Sequence, residues 1–123
     1  MASILILDDQ AAIVMTLAQI LSKAGHDVTT GSNGREGMTE LSNGLKPSLI
    51  LTDLNMPEMD GIAFIREARK TPVHKFTPII VLSGESDGRK RDEARAAGAS
   101  GWLTKPPQPN QLLYVVKQFL PSK

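Results

Sequence analysis

Cysteine is absent from the 123 residues. Disulfides, zinc-thiolate centres and thiol nucleophiles are thereby excluded, which fits a reducing compartment. Aromatic residues make up only 4%. The one basic cluster, Arg89-Lys90-Arg91, is followed at once by Asp92-Glu93. A nucleic-acid surface needs a broader basic field with stacking groups, so this run reads as a solvated helix face. No charge of either sign dominates, the formal balance being +1. No apolar run approaches the roughly 20 residues that cross a bilayer. The opening MASILILDD lacks a basic n-region, and its second residue is not the glycine that myristoylation requires. The expectation is a cytoplasmic protein with neither membrane nor nucleic acid among its partners. Neither a Walker loop nor G-x-G-x-x-G occurs, which argues against ATP or dinucleotide binding.

What remains is a chain with 41% apolar residues, enough for one core, read as a single domain over residues 1–123 with no output domain. Four short segments are rich in Ile, Leu and Val: Ser3–Leu7, Ser48–Thr52, Pro78–Leu82 and the weaker Gly101–Leu103. A fifth, poorer one is His26–Thr30. Their continuous apolar character predicts strands covered on both faces, as in parallel sheets. Helical spacing lies between them. Ile13, Leu17, Ile20, Leu21 and Ala24 precede a stop at Gly25, and Asn33 is placed to cap a helix carrying Met38 and Leu41. Gly37 weakens that second helix by about 1 kcal/mol relative to alanine. Helices are further predicted over Gly61 to Lys70 and Gly88 to Ala97. A last one carries Leu112, Val115, Val116 and Phe119, with Asn110 or a nearby polar residue at its start. Strand then helix, five times over, predicts a doubly wound α/β fold with right-handed crossovers.

Ligands of such sheets bind beyond the carboxyl ends of the strands. The groups expected there are Asp8-Asp9 after the first strand, Asp53 after the third, Ser83-Gly84 after the fourth and Thr104-Lys105-Pro106 after the fifth. Each alone has a structural explanation: an Asx turn, ordinary turn chemistry around Asp53, Asn55, Pro57 and Gly61, a loop start, a surface cation. Four strand ends delivering complementary groups to one edge is a different matter. Clustered carboxylates call for a cation, and a sparse all-oxygen set suits Mg2+. With a lysine and a hydroxyl beside it, the rim reads as a magnesium-dependent phosphoryl site with an aspartate as candidate acceptor.

Asp8-Asp9, the stretch LTDLNMPEMDG from Leu51 to Gly61, Ser83 and Lys105-Pro106 together resemble the receiver domain of two-component response regulators, in order and spacing along the whole chain. The resemblance implies a flavodoxin-like sheet of order 2-1-3-4-5 with five helices. It implies that Asp53 accepts a phosphoryl group from a sensor histidine kinase. Asp9, Asp53 and the Asn55 backbone carbonyl would hold magnesium directly, and Asp8 largely through water. Ser83 would be the switch hydroxyl, Lys105 the phosphoryl partner with a cis bond to Pro106, and Trp102 the aromatic switch. Asn55 and Glu85 would tune dephosphorylation. Such a domain is not an enzyme beyond its own phosphorylation and dephosphorylation. AGASGWLTKP resembles stand-alone, CheY-like chemotaxis regulators, whose output is binding to a flagellar motor switch protein. The alternative is a phosphorelay intermediate or phosphate sink serving a histidine phosphotransfer domain. A less favoured reading is an aspartyl-phosphate-forming phosphatase, which normally has a second acid where Asn55 stands. Pro107 and the serine at 83 depart from the commoner residues of the family.

Overall fold

The computed structural model describes residues 2–84 and 88–120. Its elements alternate as the pattern predicts: β1 (Ser3–Leu7), α1 (Ala11–Lys23), β2 (Asp27–Gly31), α2 (Gly34–Ser42), β3 (Leu49–Asp53), α3 (Gly61–Lys70), β4 (Ile79–Ser83), α4 (Gly88–Ala97), β5 (Gly101–Thr104) and α5 (Pro109–Phe119). The strands form one sheet of order β2-β1-β3-β4-β5, every pair parallel.

Two-sided burial explains the unbroken apolar strands. Leu5, Leu7, Ile50, Ile79 and Val81 face one core with Leu41 of α2, Ile62, Phe64 and Ile65 of α3 and Ala94 of α4. Ile4, Ile6, Leu49, Leu51, Ile80 and Leu82 face the other, with Leu17 and Leu21 of α1 and Leu112 and Val116 of α5. The edge strand β2 is only partly covered, which is why its sequence is the least apolar of the five.

The strand bounds are corrected. Strands β2, β3 and β4 each lie one residue further along than the apolar runs suggest, so Asp53 and Ser83 are last residues of the ladder rather than first residues of a loop. The polar residue expected at the start of α5 is Gln108, its N-cap, with Pro109 the first helical residue, where proline's missing N–H costs nothing. Gly37 is more than a weak helix former. A Cβ there would lie 2.6 Å from Leu7 Cδ1 and 2.8 Å from Phe64 Cε1, so the missing side chain lets α2 close on the core. Val115 and Phe119 are half-buried and pack against the core that Leu112 and Val116 enter. A 3-10 turn at Pro72–His74 adds an element the periodicity did not signal. No helix among the described residues is long and apolar enough to cross a membrane.

Candidate functional site

The rim forms where backbone pairing brings strand ends into line. Leu7 pairs with Thr52 and Asp53 with Leu82, so Asp8 and Asp53 emerge from adjacent strands. Ser83 pairs with Thr104, and the Lys105 amide donates to the Ser83 carbonyl at 3.0 Å, which carries β5 one step further. The bond from Lys105 to Pro106 is cis. Asp9, Gln10, Asp53, Asn55, Ser83, Gly84 and Lys105 together line an open cleft of about 310 Å³.

The loop after Asp53 is shaped tightly. Gly61 N–H returns to the Leu54 carbonyl at 2.9 Å, and Met59 N–H to that of Pro57 at 2.7 Å. Glu58 adopts a left-handed φ of 66°. A Cβ on Gly61 would overlap the Asp53 carbonyl oxygen, so only glycine lets α3 start this close to the end of β3. Asp60 caps α3 by accepting from the Ala63 amide at 2.8 Å.

Charge in the cleft is held by few contacts. Asp8 and Asp53 are buried, whereas Asp9 and Asn55 are exposed. Asp8 uses both oxygens: Oδ1 accepts from the Gln10 amide at 2.9 Å and Oδ2 from Lys105 Nζ at 2.9 Å. The Asx turn expected of Asp8 is therefore present alongside the ion pair. Asp53 Oδ1 accepts from the Leu54 amide at 2.8 Å, and its Oδ2 lies 3.4 Å from Lys105 Nζ. Burial, then the neighbouring Asp8 charge, pushes the Asp53 carboxyl above its ordinary range, with Lys105 and the Leu54 N–H pulling the other way. For Lys105, burial disfavours the ammonium, but the hydrogen bond to Asp8 and the charges of Asp53 and Asp8 outweigh it and raise its pKa. One oxygen each from Asp8, Asp9 and Asp53 lies within 4.8 Å of the others. Three hard oxygen donors in that space, one of them exposed, fit a magnesium ion that keeps several waters.

Most of the residues singled out in the sequence thus meet: Asp8, Asp9, Asp53, Asn55, Ser83 and Lys105. Trp102 does not line the cleft. It pairs with Val81, packs half-buried on the α2–α3–α4 side, and carries the Arg91 guanidinium 5.7 Å above its ring. Glu85 lies outside the described residues. Gln10 was missed, although its place directly after Asp8-Asp9, at a helix start where it is a poor capping residue, was a usable signal.

The response regulator receiver domain family matches residues 4–117 of this chain. The chain belongs to that family. As a receiver domain it is a non-enzymatic signalling module of two-component systems, the class that takes phosphate from histidine kinases. The receiver is 38% identical over 111 residues to the chemotaxis protein CheY of Thermotoga maritima, covering 89% of this chain and 90% of that one. It is 29% identical over 119 residues to protein PilG of Pseudomonas aeruginosa, covering 97% and 87%. Among solved structures, the chemotaxis response regulator CheY4 of Vibrio cholerae superposes with a TM-score of 0.91 at 37% identity, over 98% of this chain and 99% of that one. Other curated relatives are longer, and the receiver spans less than half of them.

Proposed function

We propose that this receiver domain is a phosphorylation switch whose acceptor is Asp53. The observation that carries the reading is the pairing of Asp53 with Lys105 in a cleft where Asp8 and Asp9 lie close by. In the transfer, an Asp53 carboxylate oxygen attacks the phosphorus of a phosphohistidine in line. The new O–P bond forms as the P–N bond breaks, and the electron pair leaves with the imidazole. Lys105 opposes the upward pull of burial on the acceptor's pKa and then donates to a phosphoryl oxygen. Asp9, exposed beside the cleft, and Asp53 would hold the metal directly. Asp8, with both oxygens already engaged, would act through water, and the Asn55 carbonyl would complete the set. Bound there, magnesium would offset the charge on the transferring oxygens.

The aspartyl phosphate adds negative charge and strong acceptors beside Ser83. Ser83 turns toward them, and Trp102, on the neighbouring strand β5, takes an inward rotamer, which alters the surface made by α4, β5 and α5. Asn55, and Glu85 in sequence, tune the return by hydrolysis. The likeness to two CheY proteins favours a chemotaxis output, a protein partner such as a flagellar motor switch component, over a phosphotransfer role. A cytoplasmic location follows from the same reading.

The test is incubation with acetyl phosphate and MgCl2, followed by mass spectrometry and mapping. One phosphoryl group on Asp53 is expected, and Asp53→Asn or EDTA should abolish it. Undiminished labelling of Asp53→Asn, or mapping to another residue, overturns the assignment. The Trp102 fluorescence should change on activation with beryllofluoride, and a silent Trp102 removes it from the switch. For the output, a stable phosphorylated chain that passes its group to a histidine phosphotransfer domain would replace the chemotaxis reading.

A further inference from the structure

Lysine carries three N–H donors and no acceptor. Three side-chain oxygens surround the Lys105 ammonium: Asp8 Oδ2 at 2.9 Å, Gln10 Oε1 at 3.2 Å and Asp53 Oδ2 at 3.4 Å. Two hydrogen bonds and one longer ion pair thus hold the ammonium before any phosphoryl oxygen arrives. An oxygen that is to take a hydrogen bond from Lys105 has to displace one of the three.

The three holders are unequal. Asp8 is buried, and its second oxygen is fixed by the Gln10 amide. Asp53 is buried and is the group that changes in the transfer. Gln10 is exposed and neutral, and it lines the same cleft. A hydrogen bond from an ammonium to a neutral amide is weaker than one to a carboxylate. The Gln10 backbone is pinned, its N–H on Asp8 and its carbonyl accepting from Ile13 at 3.0 Å and Val14 at 3.1 Å. Its side chain stands at the N-cap of α1 yet makes no capping bond to that helix. It turns to Lys105 instead, and because lysine only donates, the amide oxygen must be the atom that faces it.

We infer that Gln10 is a positioning residue for Lys105, a resting-state holder whose amide oxygen yields its place to a phosphoryl oxygen. The inference rests on the reading of Asp53 as the phosphoacceptor. Gln10 then sets how readily the cleft takes up a phosphoryl group, because its bond to Lys105 is given up on activation. A side chain that holds Lys105 harder makes the switch reluctant, and one that does not hold it makes the switch eager.

Wild type, Gln10→Met and Gln10→Glu separate this role from a structural one. Mg2+ binding is measured alone by calorimetry, and beryllofluoride binding at saturating Mg2+ by 19F NMR. Gln10→Met keeps the side-chain length and removes the acceptor. The half-saturating beryllofluoride concentration should fall roughly threefold while Mg2+ affinity stays unchanged. Gln10→Glu sets a carboxylate against Lys105 and adds negative charge to the cleft. Half-saturating beryllofluoride should rise about tenfold or more while Mg2+ binds more tightly. A damaged start of α1 would weaken both ligands together, so opposed movement is the signature. Equal beryllofluoride affinity in all three proteins, or parallel shifts of both ligands in Gln10→Glu, overturns the inference. Asp53→Asn with Gln10 intact must lose beryllofluoride binding. Retention there defeats the phosphoacceptor reading itself, which keeps the two failures distinguishable.

Discussion

Two partly enclosed cations hold opposite ends of this receiver domain, and they keep very different company. At the carboxyl ends of the strands, Lys105 lies among carboxylates, and its neighbour Asp53 is pushed up by burial and by Asp8. At the other end, Arg69 lies among carbonyls. Its Nε and Nη2 donate to the Gly98 oxygen at 3.0 and 2.8 Å, and its Nη1 to that of His74 at 2.8 Å. These bonds tie the end of α3 to the Pro72–His74 turn and to the α4–β5 connection, where Ser100 Oγ also accepts from the Ile79 amide at 3.1 Å. Neutral carbonyls do not repel one another, so the Arg69 knot lacks the like-charge repulsion of the rim, and its cost is the burial of the guanidinium itself. The rim keeps mutual repulsion that a cation or a phosphoryl transfer can relieve. One end is built to stay, the other to change.

Breaking the knot gives the largest effect. Arg69→Ala strips partners from two carbonyls, and hydrogen bonds from a charged donor are each worth more than neutral ones. A loss of about 2–3 kcal/mol is expected by urea unfolding, with Mg2+ affinity unchanged because the cleft lies at the other end. A shift of Mg2+ affinity would show that the two ends are coupled. The rim should respond with the opposite sign. Asp53 has a raised pKa in the fold, so its favourable contribution is complete below the ordinary carboxylate range and is lost as pH rises through the raised value. Asp53→Asn in metal-free buffer should therefore stabilise the domain at pH 7 by about 1 kcal/mol. That gain should vanish near pH 3. A destabilised Asp53→Asn would mean that the Lys105 contact outweighs burial, and the contrast between the ends would fail.

The same division governs what the sequence could reveal. Periodicity marks burial, so α3 lies where its apolar spacing put it, at Gly61–Lys70, and the polar, alanine-bearing run before Gly98 is α4, at Gly88–Ala97. Strand ends were misjudged by a residue because ladder pairing continues onto polar Asp53 and Ser83 after the apolar run stops. The rim was legible because its chemistry sits at strand ends, whose convergence the topology guarantees. Arg69 was not, since its partner Gly98 lies 29 residues away and long-range contacts leave no local trace. The packing role of Gly37 was hidden for a related reason. Helix propensity is local, whereas the approach of Leu7 and Phe64 to its bare Cα is tertiary.

His74 offers the finest probe of the stable end. It is buried, and its Nδ1 has no hydrogen-bond partner. Burial, then the charges of Arg69 and Lys46, lowers its pKa from 6.5. Below that value the unfolded chain binds a proton the folded chain resists, so stability should decline as pH falls from 6.5 and level off below the depressed pKa. The slope cannot exceed about 1.4 kcal/mol per pH unit for one group. Asp53 moves the other way in acid, and the measurement belongs in the Asp53→Asn background for that reason. There, chemical denaturation between pH 7 and pH 5 should lose stability with His74 present and lose less with His74→Gln. If the two proteins follow the same pH curve, His74 is protonated in the fold at no cost, and neither its burial nor the neighbouring Arg69 charge resists the proton.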